Sequence, residues 1–369
     1  MKALAEIFAR LESGARPARE DIVRLLGISR KPDLDRLFKT AYGVKEDNAG
    51  KKVFLRGLVE ISNICEKNCL YCGIRRGNSK AGRYLMKEDE VVAAAEFAMR
   101  NSYGSVVLQS GERTDTEFIS YADRIIRRIA RESDGRLGIT LSFGEQTEET
   151  YARWLDCGAH RYLLRIETSS PELYASIHPP QNHLFRRRLD CLKTLGRIGY
   201  QVGTGVMIGL PGQTPDNLAD DIIFFMDLDI DMVGMGPYIP HADTPLRKHA
   251  RNFSPEKQLD LSLKMIAVLR CCMPDINIAS TTALQSLRND GRELGLLAGA
   301  NVVMPNITAM EYRRKYLLYD NKPCIDDSPA DCTACMKMRI ESIGEELVLD
   351  TRGDSPHYRK RTGTSPGRN

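Results

Sequence analysis

Cys65, Cys69 and Cys72 fall within eight positions, in the stretch "CEKNCLYCGIRR". Three thiols at this spacing can converge on one metal centre, one ligand short of a closed tetrahedral set. Structural zinc sites use paired CxxC elements and close with four ligands, and no fourth Cys or His lies near residue 72 in the chain. Gly73 and Gly77, with few bulky neighbours, let the loop wrap a cluster. A 4Fe-4S cluster on three thiolates keeps one iron open to a substrate or cofactor, so the spacing points to chemistry rather than electron storage. A second set, Cys324, Cys332 and Cys335, is spaced C-x7-C-x2-C. Cys157, Cys191, Cys271 and Cys272 lie in helical or helix-end patterns and read as small buried hydrophobes.

The elements that must carry these thiols follow from periodicity. Residues 1–50 read as helices: "PAREDIVRLLG" opens at Pro17 and closes at Gly27, and "KPDLDRLFKTAYG" repeats that grammar. After Gly50, Val/Ile/Leu-rich strands at 53–60, 104–109, 137–142, 160–166, 200–208, 231–236, 275–281 and 299–304 alternate with helical runs at 87–101, 115–132, 147–157, 184–198, 214–228, 255–272 and 283–297. Alternation predicts a parallel α/β sheet, and a count of eight predicts a closed (βα)8 TIM barrel, with a doubly wound open sheet as the alternative. The expected organisation is a helical extension (1–50), a barrel (51–308), a C-terminal segment with the accessory cysteines (309–350) and a solvated, flexible tail (351–369) in which "RGD" is chance.

Barrel active sites form at the C-terminal ends of strands. Here the unusual residues cluster at those ends: the cysteine loop after the first strand, then "QSGE" (109–112), "SFGE" (142–145), "RIET" (165–168), "IGLPGQT" (208–214), "GPYIPH" (236–241), "STT" (280–282) and "MPN" (304–306). That convergence predicts one central site. A net charge of +4 gives no reason to expect nucleic acid or a membrane surface as partner, and no run approaches the ~20 apolar residues of a membrane span. The start, "MKALAEIFARLESG", carries Lys2, Glu6, Arg10 and Glu12, which break a secretory apolar core, so a cytoplasmic location is expected.

CxxxCxxC with an aromatic, Tyr71, before its third cysteine resembles the radical S-adenosylmethionine (SAM) superfamily. Within it, "ISNICEKNCLYCGIRR", "VVLQSGE", "YLLRIET", "GLPGQT", "DMVGMGPYIPHADTP", "TTA", "GANVVMPN" and "YRRKYLLY" are similar to the HydE branch, the FeFe-hydrogenase maturases, over about residues 50–345. The resemblance implies that Cys65, Cys69 and Cys72 hold a 4Fe-4S cluster whose open iron chelates SAM, and that a 5′-deoxyadenosyl radical attacks the cysteine sulfur of an iron carbonyl–cyanide–cysteine precursor. It further implies SAM contacts from Tyr71, Ser110, Glu112, Glu167 and Arg188, the last chosen from the run "RRR" (186–188). Substrate contacts are implied for Arg165, Thr281, Thr282 and Met304. Met232, and Tyr316 and Tyr319 on a helix after the barrel, are further candidates for the cavity lining, with core packing as the alternative. Such chemistry suits the residues: a sulfonium and ammonium need acceptors, and a carboxylate needs a guanidinium. Cys324, Cys332 and Cys335 would bind an accessory 2Fe-2S or 4Fe-4S cluster. The partner maturases HydG and HydF and an external electron donor are implied as well.

The sequence departs from some HydE proteins at Ile166, where those carry His. His241 reads as a satisfied loop histidine. Three other readings compete. A methylornithine synthase would need groups for two amines, and no added carboxylate pair is evident. A biotin synthase would keep a second cluster on strand cysteines, whereas the spare cysteines here lie outside the strands. A non-catalytic iron–sulfur carrier would leave eight loaded strand ends without purpose.

Overall fold

The computed structural model describes residues 4–363. Eight strands form one parallel sheet that closes on itself: Lys52–Ser62, Ser105–Ser110, Gly138–Ser142, Arg161–Leu163, Gln201–Thr204, Met232–Val233, Asn277–Ser280 and Val302–Val303. Neighbours pair in sequence order, and the first strand meets the last at Phe54↔Val302 and Leu55↔Val303, so the sheet is a barrel and not an open doubly wound sheet. The fifth and sixth strands break and resume as Met207–Ile208 and Gly236–Pro237, which pair separately. These strands are buried on both faces, which explains their continuous apolar runs.

Helices return the chain between strands, as in Glu88–Arg100, Thr116–Glu132 and Pro255–Cys272. The expected run at 283–297 is two helices, Thr282–Leu287 and Gly291–Leu297, parted by a turn at Asp290. The N-terminal helices differ from expectation in one boundary. Lys31–Ala49 runs through Gly43 and stops at Gly50, where φ is +67°. Leu37 and Ala41 are buried, and this tertiary packing outweighs the ~1 kcal/mol helix cost of one glycine. Among the described residues no helix is long and apolar enough to cross a membrane.

The expected flexible tail is corrected for residues 351–363; residues 364–369 lie outside the described part. The chain crosses the N-terminal mouth of the barrel and forms a helix, Pro356–Thr362. Ser105 and Arg161 donate to the Arg352 carbonyl at 2.7 and 2.9 Å. Arg56 and Asn277 donate to the Gly353 carbonyl at 3.1 and 2.8 Å. Arg161, fully buried, pairs with Asp354 at 2.7 Å. Gly353 sits at φ +65°, and a Cβ there would lie 2.7 Å from the Phe54 ring, so glycine is required. Composition suggested solvation because charges dominate this stretch; their partners, among them Asp229, Asp231 and Asp275, come from barrel loops distant in sequence. A further strand, Glu346–Val348, pairs in parallel with the start of the first strand.

Candidate functional site

A cavity of about 320 Å³ opens at the C-terminal ends of the strands. Cys65, Cys69 and Cys72 line it together with Tyr71, Ser110, Glu112, Arg165, Glu167, Arg188, Thr281, Thr282, Met304, Tyr316 and Tyr319. Every proposed site residue of the barrel therefore reaches one space, with one exception. Met232 lies below it, in the barrel interior, where its sulfur accepts from Arg56 Nη1 at 3.1 Å. The sixth strand alternates faces, and Met232 is on its N-terminal half, too low to meet the cavity. Tyr316 and Tyr319 also need correction: the helix after the barrel is only Met310–Arg313, and both tyrosines sit in the turn-rich segment that follows.

The three thiols are free and half-buried at the cavity wall. Burial, reinforced by Cys65, pushes the Cys72 thiol up to about 12; burial and both neighbouring thiols push Cys69 well up too. Three thiolates lining one cavity need a cationic centre, and soft sulfur donors suit iron. The wall opposite them is pared to backbone. A Cβ at Gly111 would lie 2.8 Å from Cys65 Cβ, and one at Gly144 would strike the Glu112 carboxylate. The residues present therefore fit a three-thiolate 4Fe-4S cluster.

Behind the loop, two imidazoles stack at 4.8 Å. His178 Nδ1 faces the Tyr174 carbonyl and so donates, leaving Nε2 to accept from the Tyr71 hydroxyl at 3.2 Å. His183 Nε2 accepts from the Asn68 N–H at 3.0 Å. Burial lowers both, His183 to about 4, so both are neutral acceptors supporting the loop. His241 is likewise satisfied, accepting at Nδ1 from the Asp243 N–H at 3.0 Å.

The "RRR" run is resolved by helix geometry. In Phe185–Arg197, the Arg186 side chain is 93% exposed and Arg187 56%, whereas Arg188 is 11% exposed and turns into the cavity. Its Nε lies 2.8 Å from Glu145 Oε1 and its Nη2 3.5 Å from Glu112 Oε2. Lys67, between the first two cysteines, approaches Glu112 at 3.1 Å and Glu145 at 2.9 Å. Burial raises Glu112 despite Arg188; at Glu145, burial works upward too, but Arg188 and Lys67 prevail and hold it down.

Glu167 has φ +68°, a left-handed conformation costly for a residue with a Cβ. Hydrogen bonds hold it there: its N–H donates to Gly205 O and its carbonyl accepts from Met207 N, both at 3.0 Å. Its carboxylate meets Arg165 at 2.9 Å, so the residues assigned to SAM and to substrate touch. Thr281 Oγ1 is buried without a hydrogen-bond partner.

Sequence reasoning missed Lys67, Glu145, Glu60 and Lys322. Lys67, Glu60 and Lys322 line the cavity, with Glu145 behind Lys67; Lys322 donates to Glu60 and to the Tyr316 carbonyl, and Asn306 donates to Glu60. Glu145 closes "SFGE" and was visible as a strand end; nothing local marked Lys322. In the accessory set, ligand atoms of Cys324 and Cys332 lie within 4.8 Å of each other and of the Asp327 carboxylate, while Cys335 is exposed a turn further along the helix Pro329–Ser342.

Comparison with known proteins bears on this geometry. A profile described as Radical SAM superfamily matches residues 59–225. The chain is 41% identical over 336 residues to the "[FeFe] hydrogenase maturase subunit HydE" of Thermotoga maritima, covering 91% of this chain and 93% of that one. It is 24% identical to the 3-methylornithine synthase of Methanosarcina acetivorans, over 89% of each chain. Among solved structures, methylornithine synthase (PylB) superposes with a TM-score of 0.80 at 24% identity, covering 93% of this chain and 98% of that one. The maturase HydG from Carboxydothermus hydrogenoformans gives 0.79 at 23% identity, over 97% and 81%. At these identities the superpositions speak to the shared barrel.

Proposed function

The chain belongs to the HydE family of FeFe-hydrogenase maturases, a branch of the radical SAM superfamily, and from that premise we infer what its cavity does. It is a radical SAM enzyme of H-cluster diiron assembly. The carrying observation is that the cluster thiols and the Arg165–Thr281–Thr282 group line one cavity. Cys65, Cys69 and Cys72 would hold the 4Fe-4S cluster. When bound, it supplies the electron that cleaves SAM to the 5′-deoxyadenosyl radical, which attacks the cysteine sulfur of an iron carbonyl–cyanide–cysteine substrate.

The protein's own residues bind, orient and enclose. Arg188, held by Glu145, presents its remaining guanidinium donors to the SAM carboxylate; Glu112, Glu167 and Ser110 offer acceptors to the ammonium and sulfonium. Tyr71 braces this end against His178. Arg165, Thr281 and Thr282 donate to the substrate's carboxylate or cyanide, and Met304, Tyr316 and Tyr319 exclude water from the reacting atoms. The substrate comes from the partner maturase HydG and the product passes toward HydF; an external donor reduces the cluster. Cys324 and Cys332, whose ligand atoms lie within 4.8 Å of each other, would hold an accessory iron–sulfur cluster together with the exposed Cys335.

Anaerobically reconstituted protein with dithionite and SAM should form 5′-deoxyadenosine, and Cys69→Ser should abolish it. Undiminished formation in that variant would remove the cluster assignment. Cells lacking the protein should fail to mature FeFe-hydrogenase; normal hydrogenase activity there would favour a mutase instead.

A further inference from the structure

Among the described residues, every buried arginine but one reaches a carbonyl or a carboxylate. Arg270 donates to the carbonyls of Gly299, Pro274 and Ile276 and to Asn301. Arg313 donates to the carbonyls of Thr308, Asn306, Cys324 and Asp327. Arg292 is 3% exposed and makes neither carbonyl bonds nor a carboxylate ion pair among the described residues. Its contacts are Thr282 Oγ1 at 3.0 Å and Met336 Sδ at 3.9 Å, and its Nε has no acceptor. Isolating a cation in this way costs several kcal/mol unless an anion is supplied.

The surroundings say where that anion belongs. Burial disfavours the Arg292 cation most; Cys324 and Tyr319 favour it, the like charge of Arg339 opposes it, and Cys332 favours it in turn. Met336 lies one helical turn beyond Cys332. On its other side, Thr282 and Tyr319 line the reaction cavity. Because Thr282 Oγ1 accepts from Arg292, its own O–H is left to donate elsewhere.

We propose that Arg292 is the counter-ion of an anionic iron–sulfur group on the accessory thiols and, through Thr282, a positioning residue for the substrate. This rests on the accessory-cluster reading above. With the group bound, the guanidinium is neutralised and holds the Thr282 hydroxyl toward the cavity. With the accessory thiols empty, the cation lacks its counter-charge and the hydroxyl is less firmly held. The two sites are therefore joined by one side chain, and no electron need pass between them.

Two measurements on full-length protein test this. In a Cys72→Ser background, which leaves the accessory site as the iron-binding one, a redox titration compares the parent with Arg292→Met and Arg292→Lys. The Met variant should be harder to reduce, since a stabilising positive charge is gone, and Lys should restore most of the potential. With the first cluster intact, Arg292→Met should raise KM for a synthetic iron dicarbonyl–cyanide–cysteine complex about tenfold, against a smaller change in kcat. An unchanged potential or an unchanged KM overturns the proposal. Absence of iron from the Cys72→Ser parent overturns the accessory-cluster reading and this proposal with it. Should the Met variant not fold, Arg292→Gln carries the same comparison.

Discussion

Arg188 shows how much one side chain can carry here. It is an interior guanidinium between Glu145 and Glu112, while Arg186 faces solvent and the half-exposed Arg187 reaches Glu145 at 3.4 Å from outside. Arg188→Met should weaken SAM binding about 30-fold or more, the loss of a charge-assisted contact worth about 2 kcal/mol, measured by SAM titration of the reduced cluster's spin-resonance signal. Arg186→Ala should change that affinity by less than about twofold, as expected for an exposed charge. Equal effects in the two variants would remove Arg188 from the site. Gly144 makes a second residue-scale case. Its φ is +79° and a Cβ would fall 2.2 Å from Glu112 Oε2, so Gly144→Ala should displace Glu112 and raise the KM for SAM while the iron content of the purified protein holds.

At the scale of elements, the turn after the fourth strand is the most constrained piece of the site. Glu167 is held in a left-handed conformation, and two residues on Ser169 donates its N–H to Asp221 on the helix Pro215–Asp227 at 2.6 Å. Asp221 is fully buried, and burial raises its carboxyl from 3.8 to about 7. The sign follows from proton counting. Between about pH 4 and pH 7 the folded state keeps a proton that the unfolded chain has lost, so stability falls as pH rises through that window. Asp221→Asn keeps an oxygen for the Ser169 N–H and does not ionise. The variant's thermal midpoint should therefore decline less between pH 4 and pH 7 than the parent's. Parallel curves for the two proteins would sink this account.

At the scale of the molecule, the barrel is closed at its lower end by its own C-terminal residues. Arg161, with no exposed surface, has Asp354 as its counter-charge and donates to the Arg352 carbonyl, both in a segment nearly two hundred residues away in sequence. Asp354→Ala should cost about 3 kcal/mol, because a buried cation is left unpaired, and a chaotrope melt would read it. Asp354→Asn should recover part of that. If removing residues 351–369 leaves the melting midpoint unchanged, the segment does not hold the barrel mouth shut. The reaction cavity lies at the opposite end, so the iron content of the first cluster should survive the Asp354 variants.

Periodicity and strand-end chemistry determined the barrel, its eight strands and the set of residues that converge at its upper end, because alternating burial leaves a local signature and parallel strands all present their C-terminal ends to one side. The cysteine spacing determined the kind of metal centre, because a short loop can bring only near neighbours to one cluster. What the tertiary structure decided are the relations across distance. It paired Arg188 with Glu145, turned Glu167 left-handed, put Met232 beneath the cavity and not in it, and set Lys322 on Glu60. It seated the charged tail under the barrel and left Arg292 between two thiol-lined and hydroxyl-lined walls. None of these has a sequence signature, since an ion pair, a register within a two-residue strand segment or a buried counter-charge depends on which distant backbone arrives beside it.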